Sequence, residues 1–272
     1  MAQFIRHYLL SLQFFTRLPV TGRLAEWVGY SPQMLRASAA HFPGVGALVG
    51  ALVAGLSALL LAALPPGGFT PLVVAAVGTA FGILLTGAFH EDGLADVADG
   101  LGGSYQRERS LDIMKDSRVG AFGAIAIVMA LLCKLALLAA LGSLGAAVLL
   151  PVLWLGHVVS RTWPLLLIRL LPHVGDTAAS KSKPLADQIS LEALAVAMLW
   201  CLAAWLLVQR YAALPGAALL AALAASGLGF AWMGRLFARR LQGFTGDCLG
   251  ATQQVCELVF YLGFLLGWGA GA

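Results

Sequence analysis

The sequence predicts an all-α fold, a polytopic membrane bundle of about seven transmembrane helices with an N-terminal interfacial helix, and three observations carry that reading. The 272-residue chain is 60% hydrophobic and only 11% charged, with a mean hydropathy of +0.87, whereas a soluble domain carries roughly 25% charge. Apolar runs of about twenty residues recur, the length an α-helical span needs, rather than the weak alternation of a membrane barrel. The charges that exist are gathered into alternate connections between those runs.

Taken in order, the N-terminal stretch MAQFIRHYLLSLQFFTRLPVTG has a basic residue and an apolar core, but Arg17 and Pro19 stand where a signal peptide would show small residues. It reads as a retained segment, short for a span, lying in the membrane surface with Phe14 and Phe15 turned inward. Spans follow at about Pro43 to Leu64, Pro71 to Phe89, Gly120 to Leu141, Leu144 to Leu171, Leu191 to Val208, Leu214 to Met233 and Gly250 to Gly269. The connections PPGGFT and GSLG and the C-terminal GAGA carry no charge.

The other connections hold the bases: Arg6, Arg17, Arg23 and Arg36; Arg107, Arg109, Lys115 and Arg118; Arg169, Lys181 and Lys183; Arg235, Arg239 and Arg240. Of the 17 Lys and Arg only Lys134, Arg161 and Arg210 lie elsewhere. The positive-inside rule therefore places the N-terminus and the charged loops of this multi-pass chain in the cytoplasm, with the C-terminus outside. No linker, repeat or low-complexity tract divides residues 1–272, which read as a single integral membrane domain whose working face is cytoplasmic. Cys133, Cys201, Cys248 and Cys256 are scattered, with no CxxC pair, so neither a zinc site nor a disulfide framework is suggested.

The chemistry concentrates in HEDGLADVADGLGG, where Glu91, Asp92, Asp96 and Asp99 place four of the chain's 13 acidic residues within nine positions. If the segment is helical, Asp92, Asp96 and Asp99 stand at i, i+4 and i+7, a stripe about 60° wide. Like charges at that spacing repel, and a divalent cation would reverse the cost. Magnesium suits hard oxygen donors and shares its positions with water and substrate phosphates. The plain alternative is a solvated helix face.

In ERSLDIMKDSRVGAFG, Asp112 and Asp116 are again spaced i, i+4, with Lys115 and Arg118 beside them. A metal held by one set and a phosphate neutralised by the other is what transfer at a diphosphate ester requires. In RLQGFTGDCLGATQQVCEL, glycines bracket Thr245, Gly246 and Asp247 before the last span, where backbone N–H groups can approach an anion. Asp247 either caps that helix or joins the metal set. Glu257, inside the last span, needs a partner, and Arg161 in LGHVVSRTWPLLLIRLL is the candidate. Alternatively its planar fork binds a phosphate. Pro164 is expected to kink that helix. Lys134 reads as snorkelling or paired, and His90, beside Glu91, as a base or an interfacial residue.

FHEDGLADVADGLGG, DIMKDSRVGAFG and FTGDCLGATQQVCE, with the earlier FFTRLPV and FPGVGALVG, resemble the membrane-bound cobalamin synthase family of adenosylcobinamide-GDP ribazoletransferases. The resemblance covers nearly the whole chain, with five motifs in the same order. It implies magnesium-dependent phosphotransfer: α-ribazole or its 5′-phosphate and adenosylcobinamide-GDP give adenosylcobalamin or its 5′-phosphate and GMP, ending vitamin B12 nucleotide-loop assembly. Matching positions imply Asp92, Asp96 and Asp99 as magnesium ligands, with Glu91, Asp116 and Asp247 as further ligands or the base. They imply Lys115, Arg118 and Arg161 on phosphates. The partners implied are those two substrates and the lipid bilayer, with no nucleic acid; a homo-oligomer is compatible. Lys181 and Lys183, in the loop from Val174 to Ser190, either clamp the guanylyl part or follow the charge-side rule. An intramembrane prenyltransferase, or an enzyme like the CDP-alcohol phosphotransferases, would use similar acidic motifs, and a transporter would also place rare charges in spans.

Overall fold

The computed structural model describes residues 2–175 and 189–270, so Lys181, Lys183 and most of their loop lie outside the described residues. Every regular element described is helical. The N-terminal region holds α1 (Ala2–Phe15), α2 (Gly22–Val28) and α3 (Pro32–Ser38). Ser31 accepts the Met34 N–H at 3.1 Å and Pro32 opens the first turn of α3, a paired start signal. A 3₁₀ turn at Ala39–His41 then leads into α4 (Phe42–Ala63) without a break, so this helical stretch begins at Pro32 rather than near Pro43.

The second expected span is where structure and sequence part most. The helix α5 (Thr70–Thr86) has 17 residues, about 26 Å at helical rise, slightly short of a bilayer core. The chain then bends by 89° into α6 (Phe89–Gly103), the acidic helix. Two consecutive left-handed residues, Gly87 at φ 67° and Ala88 at φ 59°, make the corner. At Gly87 a Cβ would be strained and would run into Arg17 Nε, and the Arg17 N–H donates to the Leu85 carbonyl at 2.7 Å. The N-terminal segment thereby clasps the corner that aims α6.

After α7 (Arg107–Met114) come α8 (Ala121–Ser143), α9 (Ala146–Leu170), α10 (Leu191–Tyr211), α11 (Gly216–Arg240) and α12 (Gly246–Gly269). Among the described residues six helices are long and apolar enough to cross a membrane, or seven if α5 and α6 count as one broken span. Burial sorts them: 67% of the most apolar stretch of α9 and 61% of that of α12 is enclosed, against 17% for α8 and α10. Hence α9 and α12 form the inner pair, and α8 and α10 present Ile125, Leu132, Leu199 and Leu206 outward as a lipid-facing surface. Helix α9 continues through Pro151 and Pro164, neither of which ends it. The four cysteines are free. In α1, Phe15 is buried against Phe42, ring centroids 4.0 Å apart, and Phe14 is half-buried.

Candidate active site

Glycine lets α6 reach the inner pair. A Cβ at Gly93 would meet the Asp247 backbone at 2.7 Å, and one at Gly250 would meet the His90 Cα at 3.2 Å, so α6 and α12 cross nearly backbone to backbone. That crossing brings the carboxylates of two distant segments together. Asp96 has Asp247, Asp92 and Asp99 as charged neighbours, and Asp247 has Asp92. Asp92 is exposed and Asp96 half-buried, and among the described residues neither has a hydrogen-bond or ion-pair partner. Asp247 lies in the first turn of α12 and accepts the Thr245 hydroxyl at 3.2 Å. Thr245 is the N-cap, so Asp247 does not cap the helix.

Asp99, the third member of the stripe, points elsewhere. Its two oxygens accept the Gly120 N–H at 2.7 Å and the Gly123 N–H at 2.8 Å, both at the start of α8. A carboxylate there satisfies two otherwise orphaned helix donors and opposes the positive end of the dipole. Gly120 and Gly123 are needed because a Cβ at either would strike that carboxylate. Asp116 also departs from expectation: α7 ends at Met114, so Asp112 and Asp116 do not share a helix face. Asp116 instead takes the Arg118 guanidinium at 2.6 Å and the Arg118 N–H at 3.1 Å. That guanidinium holds the Asp116 carboxyl down at about 2, so it stays ionised. Lys115 is exposed at the C-cap of α7.

Thr245 and Gly246 sit at a braced turn. Phe244 N–H donates to the Pro172 carbonyl at 3.0 Å and Val174 N–H to the Phe244 carbonyl at 2.9 Å, tying the entry of α12 to the exit of α9. The far end of α6 is latched by Arg240, whose Nη2 donates to the Leu101 and Ser104 carbonyls at 3.1 and 2.6 Å. A cation on the last carbonyls suits the negative helix end.

Behind the open acidic face lies an enclosed polar layer. Glu257 meets Lys134 Nζ at 2.8 Å, not Arg161; it also accepts Gln253 Nε2 at 2.6 Å and the Tyr261 hydroxyl at 3.0 Å. The expected Arg161–Glu257 pair is thus replaced by Lys134–Glu257, because α8 brings Lys134 to α12 at that depth. Gln253 continues to Ser160 at 3.1 Å, and Gln254 reaches Glu91 Oε1 at 3.0 Å. Arg161, 2% exposed, donates Nη1 to the His157 carbonyl at 3.0 Å and lies over the Phe42 ring. His90, also 2% exposed, stacks on Phe42 with centroids 5.7 Å apart. His90 is therefore buried and Glu91 turns inward, while Asp92, one residue on, is exposed.

The sequence did not single out Gln253 or Gln254, and of the two readings of Lys134 the structure shows the paired one, with Glu257 as the partner that was not foreseen; the signal available was two amides one turn before Glu257 in an apolar helix. Among the described residues no three His, Cys, Asp or Glu side chains are grouped to hold a metal by themselves. Asp92, Asp96 and Asp247 nevertheless suit magnesium in kind. They are hard oxygen donors crowding one another with no ion-pair partner among the described residues, and this ion commonly takes one or two carboxylates and fills its remaining positions with water and phosphate.

A profile described as cobalamin-5-phosphate synthase matches residues 7–265. Proteins named adenosylcobinamide-GDP ribazoletransferase from Albidiferax ferrireducens and Polaromonas naphthalenivorans are 68% and 62% identical to this chain. The first alignment covers 98% of this chain and 100% of its relative, the second 97% and 98%. One of the same name from Vibrio cholerae is 42% identical over 94% of this chain and 91% of its own. No solved structure matches. With almost its whole length matched in both comparisons, the chain belongs to the cobalamin-5-phosphate synthase family.

Proposed function

We propose that the protein is a magnesium-dependent adenosylcobinamide-GDP ribazoletransferase working at the crossing of α6 and α12. The observation that carries this reading is the meeting of Asp92, Asp96 and Asp247, from segments more than 150 residues apart, in a charge-poor membrane protein whose relatives bear that enzyme's name. In the reaction, a hydroxyl oxygen of α-ribazole or its 5′-phosphate bonds to the cobinamide-side phosphorus of adenosylcobinamide-GDP. The diphosphate P–O bond breaks, GMP leaves with the electron pair, and the hydroxyl proton is released. Such in-line transfer asks a protein mostly for positioning and charge neutralisation.

Asp92, Asp96 and Asp247 would hold magnesium, which when bound neutralises charge on the diphosphate. Lys115 and Arg118, exposed on the connection between α7 and α8, would meet its outer phosphate oxygens; the Asp116–Arg118 pair keeps that guanidinium oriented. His90 and Glu91 are turned into the enclosed layer, so the carboxylates of the acidic face are the nearer acceptors for the hydroxyl proton. The test is GMP release in proteoliposomes. It should require both adenosylcobinamide-GDP and α-ribazole or its 5′-phosphate, and stop when magnesium is chelated. Turnover of a prenyl diphosphate instead, or GMP release unaffected by chelation, would reject the reading.

The cytoplasmic placement of this face in a bacterial inner membrane belongs to the same proposal and rests on the distribution of Lys and Arg. Two exposed side chains test it: Tyr105 between α6 and α7, 92% exposed, and Phe69 between α4 and α5, 80% exposed. In intact spheroplasts an impermeant thiol reagent should label Phe69→Cys but not Tyr105→Cys, which should react only after permeabilisation. The reverse pattern would invert the topology.

A further inference from the structure

The enclosed layer contains a cavity of about 20 Å³, bounded by α4, α5, α6, α8, α9 and α12. Four buried polar atoms on residues lining it have no hydrogen-bond partner among the described residues: Thr79 Oγ1, His90 Nε2, Glu91 Oε2 and Arg161 Nε. The neighbouring groups are already engaged. Lys134 and Glu257 neutralise each other at 2.8 Å, Gln254 holds Glu91 Oε1 at 3.0 Å, and His157 takes Arg161 Nη1 at 3.0 Å. What remains is one cation, Arg161, and one anion, Glu91, close enough to sense each other's charge but not in contact, each with one free atom on a residue of the cavity wall.

Buried polar atoms are rarely left without partners, and a cavity holds a water once it offers about 10–15 Å³ and two to four polar groups. At about 20 Å³ this cavity has room for a water. A cation there would face the Arg161 guanidinium, and an anion would face the Glu91 carboxylate. Water alone among the small occupants both donates and accepts.

We propose that a single internal water bridges Arg161 Nε–H to Glu91 Oε2, with Thr79 Oγ1 and His90 Nε2 completing its four hydrogen bonds. The bridge closes a solvent-separated ion pair between α9 and α6 and, with Gln254, holds both oxygens of Glu91. Arg161 and Glu91 are then positioning residues: they set the first turn of α6, one residue before Asp92, and touch no substrate.

The first test is independent of any activity. Thr79→Val keeps the shape and removes the hydroxyl. If that hydroxyl is bonded to an internal water, the detergent-solubilised protein should lose about 3 °C in its thermal midpoint. If the hydroxyl is truly orphaned, removing it relieves a burial penalty and the midpoint rises; a rise or no change overturns the proposal.

The second test rests on the transferase reading and uses the full chain with Glu91→Gln, Arg161→Gln and the double variant. Each single change strands one buried charge and should lower the midpoint and reduce kcat about tenfold, with KM for adenosylcobinamide-GDP unchanged. The double variant, in which water can bridge two amides, should recover more than half of both losses. Additive midpoint losses would overturn the bridge, and a KM raised tenfold by Arg161→Gln and kept in the double variant would make Arg161 a substrate ligand instead. Should wild-type protein release no GMP, the three midpoints and Thr79→Val still decide the bridge, so its failure and that of the transferase reading can be told apart.

Discussion

Asp92→Ala and Asp96→Ala are each expected to lower GMP release by about 10²–10³-fold or more, the loss typical when one group that stabilises transition-state charge is removed. Insertion and thermal midpoint should be unchanged or slightly improved. Asp92 is exposed and unpartnered among the described residues, and Asp96 is crowded by three like charges, so neither contributes a contact that folding would miss. Asp99→Ala is the internal contrast: it strands the Gly120 and Gly123 N–H groups at the start of α8 and should lower the midpoint before anything else. Kinetics across a magnesium titration separate the roles. Near-normal turnover of both variants at limiting magnesium would remove Asp92 and Asp96 from the metal site, and partial recovery in manganese would support them there.

The second large effect is on stability. Lys134→Met or Glu257→Gln alone should cost about 3–5 kcal/mol, because each leaves its partner's charge buried without compensation. The Lys134–Glu257 pair is enclosed, with side chains 9% and 1% exposed, so solvent screens it little. The double variant should return most of the way to wild type, a strongly non-additive result, since a neutral pair of similar volume avoids the desolvation of both ions. Denaturation midpoints of the purified singles and double measure this. Additive losses would mean that each ion has another partner; Arg161 is the one to examine, for it senses the Glu257 charge without touching it.

Helix counting along one chain explains why the intramembrane pairing was misread. Rise per residue estimates how far along its own helix each of Glu257 and Arg161 lies. It carries no information on which side of α12 faces α9 and which faces α8, and a third helix supplied Lys134 at the same level. The Asp112–Asp116 spacing failed for a local reason instead. The Asp116 side chain binds the Arg118 N–H, a side-chain bond that competes with helical continuation, so α7 stops at Met114. The acidic stripe itself was legible, because α6 is helical over its whole length and Asp92, Asp96 and Asp99 do lie along one side. What each carboxylate faces was not legible: open solvent, Asp247, or the first turn of α8.

By itself the sequence determined the membrane class, an all-helical bundle of about seven apolar segments, the motifs that mark the family, and the concentration of acid in the segment that forms α6. These depend on composition and on periodicities that repeat within a single segment. Tertiary structure alone decided that α5 turns by 89° into α6, that α6 meets α12 at Gly93 and Gly250, that Asp247 joins Asp92 and Asp96 while Asp99 caps α8, and that Lys134 neutralises Glu257. The physical reason is the range of the interactions. A helix and its depth follow from bonds four residues long, whereas the angle at which two helices cross, and the charges they bring within 3 Å, depend on side chains far apart in sequence that meet only when the bundle closes.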